Sequence, residues 1–318
     1  MLNPATLEWI DSIIFSRNIV SPGERNVFFN RVKLGEFISL RRGAYVSAAE
    51  WNALDRDDRH RLRIKAAVAY ADRDFVVSHQ SAVAMWRLPW IGPRTTATHV
   101  LSDFTTGGRS SRVLVRHNVG VPERIERIDG LRVTSIARTV ADVLCDSSFE
   151  QSVVVADAAL HRSGLIIEGM PDFSVSLSEI RAELSNVNLR HGTARATRAI
   201  EFADGASESP GESLSRVNIA LAHLTAPQLQ ARLVGASGRQ WFVDFWWPKF
   251  NVIGEFDGEA KYRDPRFLRG RTPERALLDE KDREDDLRAA GHAMSRWGWK
   301  VADSMAALRD QLVHAGVR

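Results

Sequence analysis

The apolar positions of the first 55 residues predict two short helices followed by a small hairpin. In the first helix, apolar residues recur every three or four positions: Leu7, Ile10, Ile13 and Ile14. The second helix follows a break at 21–23, and two strand-like runs come after it, at 37–40 and 43–46. Arg41 and Arg42 stand between these two strands.

This order of elements suggests how the N-terminal segment could be used. Helices followed by a β-wing with basic residues are typical of a winged helix-turn-helix. We therefore expect such a domain over residues 1–55, with Arg41 and Arg42 as its candidate DNA contacts. A small helical cap that binds nothing remains the alternative.

Residues 56–205 alternate between short apolar runs and helical patterns, which predicts a mixed α/β domain. The runs that predict strands are 75–77, 98–101, 113–117 and 131–133. The helical patterns cover 61–70, 78–86, 135–144, 151–161 and 177–184. A polar stretch with Gly and Ser at 203–210 predicts a linker into the last domain.

Residues 206–318 predict the order helix, strand, strand, helix, strand, helix. The first helix opens at Ser209-Pro210, and an aromatic strand follows at 241–247. A turn then leads to a second strand at 252–257, and another helix begins near Pro273. The sequence as a whole therefore predicts an α/β protein whose last domain has a mixed central sheet.

Composition narrows the classes of protein only slightly. Of the 43 basic residues only 6 are lysine, a bias that suits phosphate and guanine contacts but also follows from a GC-rich genome. The single cysteine, Cys145, excludes an internal disulfide and a cysteine zinc site. No apolar run of 18 residues and no secretory pattern occur, so we expect a soluble cytoplasmic protein without a membrane partner.

Three carboxylates carry the strongest indication of chemistry. Asp244 lies in the middle of the aromatic strand, while Glu255 and Asp257 lie two residues apart on the next strand and would project from one face. Buried carboxylates need a cation, and an oxygen-rich set suits Mg²⁺ or Mn²⁺. Such a site favours phosphodiester hydrolysis, with Lys261 or Lys281 as the lysine that orients the attacking water.

Structural roles could explain each of these acids separately. Asp257-Gly258 is a common turn dipeptide, and Asp244 could pair with an arginine such as Arg283. Glu212 follows Ser209 by three residues and could complete a capping box. Four histidines show no metal-ligand spacing and are interpreted as ordinary polar or capping residues: His79, His99, His117 and His161.

The final domain resembles the small nuclease-like domains related to very-short-patch repair endonucleases, in the PD-(D/E)xK class. The residues that carry this resemblance are Asp244, the string Ile-Gly-Glu-Phe-Asp-Gly at 253–258, 280–285, and Arg296-Trp297. The resemblance implies that Glu212 is the acid of the first helix and that Asp244 and Glu255 are metal ligands. Asp257 stands where the class has lysine, a departure that puts catalysis more in question than the fold.

The chain also resembles actinobacterial AbiEi-like antitoxins or regulators, through residues 41–46 and 133–142. Those proteins pair a winged helix with a middle domain, and some carry a nuclease-like C-terminus. They are understood to repress their own operon from inverted repeats, which implies a homodimer and a cognate toxin as partners.

Two functions therefore compete. The first is a Mg²⁺-dependent DNA endonuclease with Glu212, Asp244, Glu255 and Asp257 at its site and a cluster of backbone-clamping arginines, Arg263, Arg266 and Arg269. The second is a transcriptional regulator or antitoxin whose nuclease-like domain is silent. A protein-interaction module without a nucleic-acid role is the weakest alternative. Fold alone does not decide among them.

Overall fold

The computed structural model describes residues 12–71, 75–101, 110–187, 192–258 and 272–318. The chain folds into two compact units: the first contains residues 1–155 and 162–201, and the second contains residues 156–161 and 202–318. The predicted boundary between the last two domains, at 205/206, lies close to residue 202, and a boundary at residue 55 stays a prediction. In the described part of the chain, no helix has the length and apolarity needed to cross a membrane.

The first unit begins with a small antiparallel sheet in the order β1-β3-β2. Its elements are β1 (Ile14–Phe15), α1 (Pro22–Lys33), β2 (Phe37–Arg41), β3 (Ala44–Ser47) and α2 (Ala48–Ala53). The second predicted helix and the hairpin are thus confirmed. Ser21 caps α1 by accepting a hydrogen bond from the Glu24 backbone N–H, and this cap marks where the helix begins.

The helical interpretation of Ile13 and Ile14 is wrong. Ile14 is part of a strand that pairs antiparallel with β3, opposite Tyr45, and Ile13 lies just before it. Ile13 is buried in the same core as Ala44 and Val46, and the β-branched Ile14 is well suited to a strand, while a short apolar run fits either structure. The other two residues of that pattern, Leu7 and Ile10, lie outside the described residues.

A mixed five-stranded sheet, in the order β6-β5-β4-β8-β7, forms the rest of the first unit. Its strands are β4 (Val76–Val77), β5 (Thr98–Leu101), β6 (Leu114–His117), β7 (Ile125–Ile128) and β8 (Leu131–Thr134). The helices between residues 56 and 202 are α3 (Arg56–Tyr70), α4 (His79–Met85), α5 (Ile136–Asp146), α6 (Phe149–His161), α7 (Leu177–Asn186) and α8 (Thr193–Phe202). The last six residues of α6 and the last residue of α8 belong to the second unit. Four strands and five helices were predicted; β7 and α8 were not.

The second unit contains a four-stranded sheet in the order β12-β11-β10-β9. Its elements are α9 (Pro210–Leu221), β9 (Gln228–Val234), β10 (Gln240–Trp247), β11 (Val252–Phe256), α10 (Pro273–Ala289), β12 (Ala293–Trp297), α11 (Trp299–Ala302) and α12 (Met305–His314). Because β11 and β12 are parallel and the other pairs antiparallel, the predicted mixed sheet is confirmed. The edge strand β9 was missed.

Aromatic rings cover one face of this sheet and determine which residues fit beneath them. Phe245, Trp247 and Trp297 are fully or nearly fully buried in one cluster. A Cβ atom on Gly254 would lie 2.7 Å from the ring of Trp297 and 2.9 Å from that of Trp247, closer than carbon atoms can approach. Packing therefore requires a glycine at position 254.

Candidate functional site

Asp244 lies where the regular alternation of β10 breaks. Val243 packs in the cluster on the α10 side of the sheet together with Trp246, whereas Phe245 belongs to the opposite cluster. Gln230 is opposite Asp244 in the register of β9 and β10, and its backbone has a positive φ of 46°. Irregularities of this kind redirect a side chain and cluster at functional sites.

The neighbouring strand β11 brings Glu255 beside Asp244. The register pairs Phe245 with Gly254, so the residues next to them, Asp244 and Glu255, face each other across the two strands. The Phe256 backbone N–H donates a hydrogen bond of 2.9 Å to Asp244 Oδ2, which fastens this carboxylate to β11. The predicted convergence of these two acids is thus present.

Glu255 is deeply buried, with only 3% of its surface exposed. Burial first, and then the negative charge of Asp244, raise the pKa of Glu255 to about 8. Arg283 of α10 opposes this shift, because its Nη1 donates to Glu255 Oε1 at 3.1 Å. Without a second cation the carboxyl group therefore holds its proton near neutral pH, a common property of functional carboxyls.

Asp257 follows β11 directly instead of lying within it. Its Oδ2 accepts a hydrogen bond of 3.2 Å from Arg296, and its buried Oδ1 has no hydrogen-bond partner among the described residues. Arg283 and Arg296 both contact Glu280, at 2.7 and 3.2 Å. Glu255, Arg283, Glu280, Arg296 and Asp257 thus form a chain of alternating charges between the sheet and α10.

Glu212 takes part in the N-cap of α9, but in place of the predicted capping box its carboxylate accepts from the Glu208 backbone N–H at 2.9 Å. Its backbone N–H donates to Ser209 Oγ at 3.2 Å, and its carboxylate accepts from the Ser209 hydroxyl at 2.7 Å. It also accepts a 3.4 Å hydrogen bond from Gln230, the residue opposite Asp244. Capping and proximity to the acidic pair are therefore compatible, since the beginning of α9 lies at this part of the sheet.

The basic residues predicted for the site have different surroundings. Lys281 is exposed on α10, whereas Arg283 on the same helix reaches Glu255. Lys261, Arg263, Arg266 and Arg269 lie outside the described residues. Arg42 is exposed in the turn between β2 and β3, but Arg41 is committed to the fold: its guanidinium lies 4.3 Å from the centre of the Tyr70 ring and donates to the Ala67 carbonyl at 3.2 Å.

A second cluster, of histidines, is the feature that sequence reasoning missed. His79 begins α4, His99 lies on β5 and His117 ends β6, and the rings of His79 and His117 stack with centres 3.5 Å apart. His99 and His117 share a hydrogen bond of 2.9 Å between Nδ1 and Nε2. Burial lowers the pKa of His99 and of His117 to about 4, and that of His79 well below its usual value, so all three are neutral at pH 7.

Among the described residues, His79, His117 and Asp146 are one group whose potential metal-ligating atoms all lie within 4.8 Å of one another. Asp244, Glu255 and Asp257 do not form such a group in this structure. For those three to share an ion, the contact of Arg283 with Glu255 or that of Arg296 with Asp257 would have to open. The spacing of residues along the chain predicted neither the group of His79, His117 and Asp146 nor the arginine contacts of Glu255 and Asp257. Both arrangements depend on which helices and strands become neighbours.

No protein-family model matches the chain. Two curated proteins of Mycobacterium tuberculosis are similar to it: uncharacterized protein MT2308 of strain CDC 1551 and uncharacterized protein Rv2248 of strain H37Rv. Each is 28% identical over 179 residues, which are 56% of this chain and 62% of the relative. The match thus spans less than two thirds of either relative's length.

Proposed function

We propose that this chain is a DNA-binding protein whose second unit is a PD-(D/E)xK-type, metal-dependent endonuclease. The observation that carries the proposal is the pairing of Asp244 with the buried Glu255 on adjacent strands. Burial first, and then the charge of Asp244, disfavour the ionised form of Glu255 and raise its pKa, and a divalent cation would offset both effects. The all-oxygen set fits Mg²⁺ or Mn²⁺, as does the Oδ1 of Asp257, which has no hydrogen-bond partner among the residues that the structure describes.

The residues would divide the work as follows. Asp244 and Glu255 would hold the ion, with Asp257 as a third ligand once Arg296 moves aside. When bound, such an ion lowers the pKa of a water molecule and offsets the charge that develops on the phosphate. Glu212 would position the pair through Gln230, and Lys281 or Lys261 would orient the attacking water.

Binding of DNA would precede this hydrolysis. The exposed Arg42 lies in the hairpin turn of the first unit, as expected for a winged-helix contact, and Arg263, Arg266 and Arg269 are the further basic candidates. The partner is duplex DNA, held mainly through its phosphates, and we place the protein in the cytoplasm.

One observation favours a second function, that of an AbiEi-like regulator or antitoxin with a silent nuclease-like unit. Arg283 already contacts Glu255 at 3.1 Å, and Arg296 contacts Asp257 at 3.2 Å, at the positions an ion would otherwise take. A scaffold stabilised by these ion pairs needs no metal. On this proposal the protein acts as a homodimer on inverted repeats and is bound by a cognate toxin.

Cleavage of supercoiled plasmid with Mg²⁺ or Mn²⁺ distinguishes the two functions. The endonuclease proposal expects metal-dependent nicking that Asp244→Asn abolishes and that Asp282→Asn, at an exposed position of α10, leaves intact. Nicking that survives Asp244→Asn would identify a contaminant. Folded protein that cuts with neither ion would contradict the enzyme, and binding to operator DNA by the same preparation would then support the regulator.

A further inference from the structure

We propose that the first unit contains a binding site for a divalent transition-metal ion of the Zn²⁺ class, with His79, His117 and Asp146 as its ligands. These residues come from the start of α4, the end of β6 and the end of α5, and their ligand atoms lie within 4.8 Å of one another. Two imidazoles and one carboxylate suit zinc, iron, cobalt or nickel, whereas Mg²⁺ prefers oxygen ligands alone. The site is independent of the carboxylates of the second unit.

The surroundings of His79 are those of a metal-ligating histidine. Asp142 is buried with 1% of its surface exposed, and its Oδ2 has no hydrogen-bond partner among the described residues. This oxygen lies 3.8 Å from His79 Nδ1, which also contacts the Ser78 hydroxyl at 3.0 Å. A carboxylate behind one ring nitrogen orients the other toward an ion, so the unsatisfied oxygen of Asp142 has a role once an ion is bound.

The backbone of His79 is also unusual, with a positive φ of 50°. A residue other than glycine rarely adopts this conformation, and it persists only where the surrounding structure enforces it. His79 is the first residue of α4, and its imidazole is buried against His117 instead of facing solvent. The surrounding structure therefore holds this candidate ligand in a conformation that it would not adopt alone.

His117 is oriented by a relay of hydrogen bonds. Its Nε2 contacts His99 Nδ1 at 2.9 Å, and His99 Nε2 contacts the side-chain amide of Gln80 at 2.9 Å. If Gln80 turns its amide oxygen toward His99, each ring donates to the next and Nδ1 of His117 keeps a free lone pair. Coordination also requires the stacked rings of His79 and His117 to tilt apart at one edge.

An open coordination position would face a cavity of about 320 Å³ that His79 and Asp146 help to line. Gln151 lines the same cavity, is 4% exposed, and has an Nε2 without a hydrogen-bond partner among the described residues. Its Oε1 is already used by the Ile91 backbone N–H at 3.0 Å. Three protein ligands beside a cavity are typical of a zinc site that keeps a position for water or a small ligand.

The test uses the full chain, freed of metal with a chelator and titrated with Zn²⁺ by calorimetry and with Co²⁺ by visible absorption. We expect about one equivalent of either ion to bind, with a d–d spectrum for Co²⁺. Affinity should fall by at least about tenfold in His117→Gln and in Asp146→Asn. Asp146 is exposed, so its substitution should leave the fold intact, which circular dichroism checks.

His223→Gln is the matched control, because this histidine is exposed and lies in the second unit. It should bind both ions as the unaltered chain does. The proposal is overturned if folded protein shows no saturable binding of either ion. It is equally overturned if affinity is unchanged in both ligand variants, or if His223→Gln weakens binding as much as they do. Plasmid nicking does not enter this test, so the two proposals fail separately.

Discussion

Replacing Glu255 by glutamine should change how the stability of the protein depends on pH. Burial and Asp244 raise the pKa of this carboxyl group from an ordinary 4.5 to about 8 in the folded state. The folded chain therefore holds the proton more tightly than the unfolded chain does. This stabilisation is complete below about pH 4.5 and is lost as the pH rises through about 8.

The size of the effect follows from the two pKa values. The difference between 8 and 4.5 is 3.5, which corresponds to at most about 5 kcal/mol at about 1.4 kcal/mol per pH unit. Glutamine has the shape of the protonated acid, cannot ionise, and keeps an oxygen that can accept from Arg283. The variant should therefore lack this loss of stability on the alkaline side.

Urea unfolding between about pH 5 and about pH 9, without divalent ions, measures this difference. Over this range we expect the stability of the unaltered chain to fall relative to Glu255→Gln by about 4 kcal/mol, because a small part of the full effect is already lost at about pH 5. Glu201→Gln, which removes an exposed carboxyl group of α8, should follow the unaltered chain. If the free energy of unfolding depends on pH in the same way for the unaltered chain and for Glu255→Gln, burial and the charge of Asp244 do not raise the pKa of Glu255 as argued.

Mg²⁺ provides a second arm of the same experiment. An ion held by Asp244 and Glu255 needs both carboxylates ionised, so its binding is linked to proton release. It should raise the stability of the unaltered chain at the alkaline end, by an amount that grows with ion concentration, and not that of Glu255→Gln. An equal response of both proteins would count against the metal site of the proposed nuclease.

Two further predictions concern packing and DNA contact. Gly254→Ala should lower the free energy of unfolding by about 1–3 kcal/mol, because the new methyl group would overlap Trp297; Gly298→Ala, with its closest contact at 3.4 Å, should cost less in the same urea titration. Arg42→Ala should weaken duplex DNA binding and reduce its salt dependence by about one phosphate contact without changing stability, measured by fluorescence anisotropy at several salt concentrations. Arg41→Ala should instead lower stability, because that side chain packs on Tyr70; equal loss of stability in both arginine variants would contradict this division.

Local signals in the sequence were sufficient for much of the second unit. Ser209 and Thr272 each accept a hydrogen bond from the first turn of a helix, so α9 and α10 begin near the predicted positions. The aromatic run of β10 is long enough to be recognised without its neighbours. The strand β9 was missed, since only the register against β10 distinguishes its alternating pattern from that of a polar loop.

Pairing between distant segments limited the prediction elsewhere. Ile14 forms a strand because β3 is beside it, and no pattern within that short run indicates the partner. His79, His99 and His117 are separated by 20 and 18 residues, and they meet because β5 and β6 pair in parallel next to α4. A rule based on ligand spacing within one helix does not find such a cluster.

The sequence by itself determined the α/β class, the ends of several helices and the strands that carry Asp244 and Glu255, because caps and apolar periodicity act over a few residues. Only the tertiary structure decided that Arg283 contacts Glu255, that Arg41 is structural and that His79 and His117 lie close to Asp146. Those outcomes depend on side chains meeting across separate elements. The desolvation that raises the pKa of Glu255 and lowers the pKa of the histidines likewise arises only when the elements pack together.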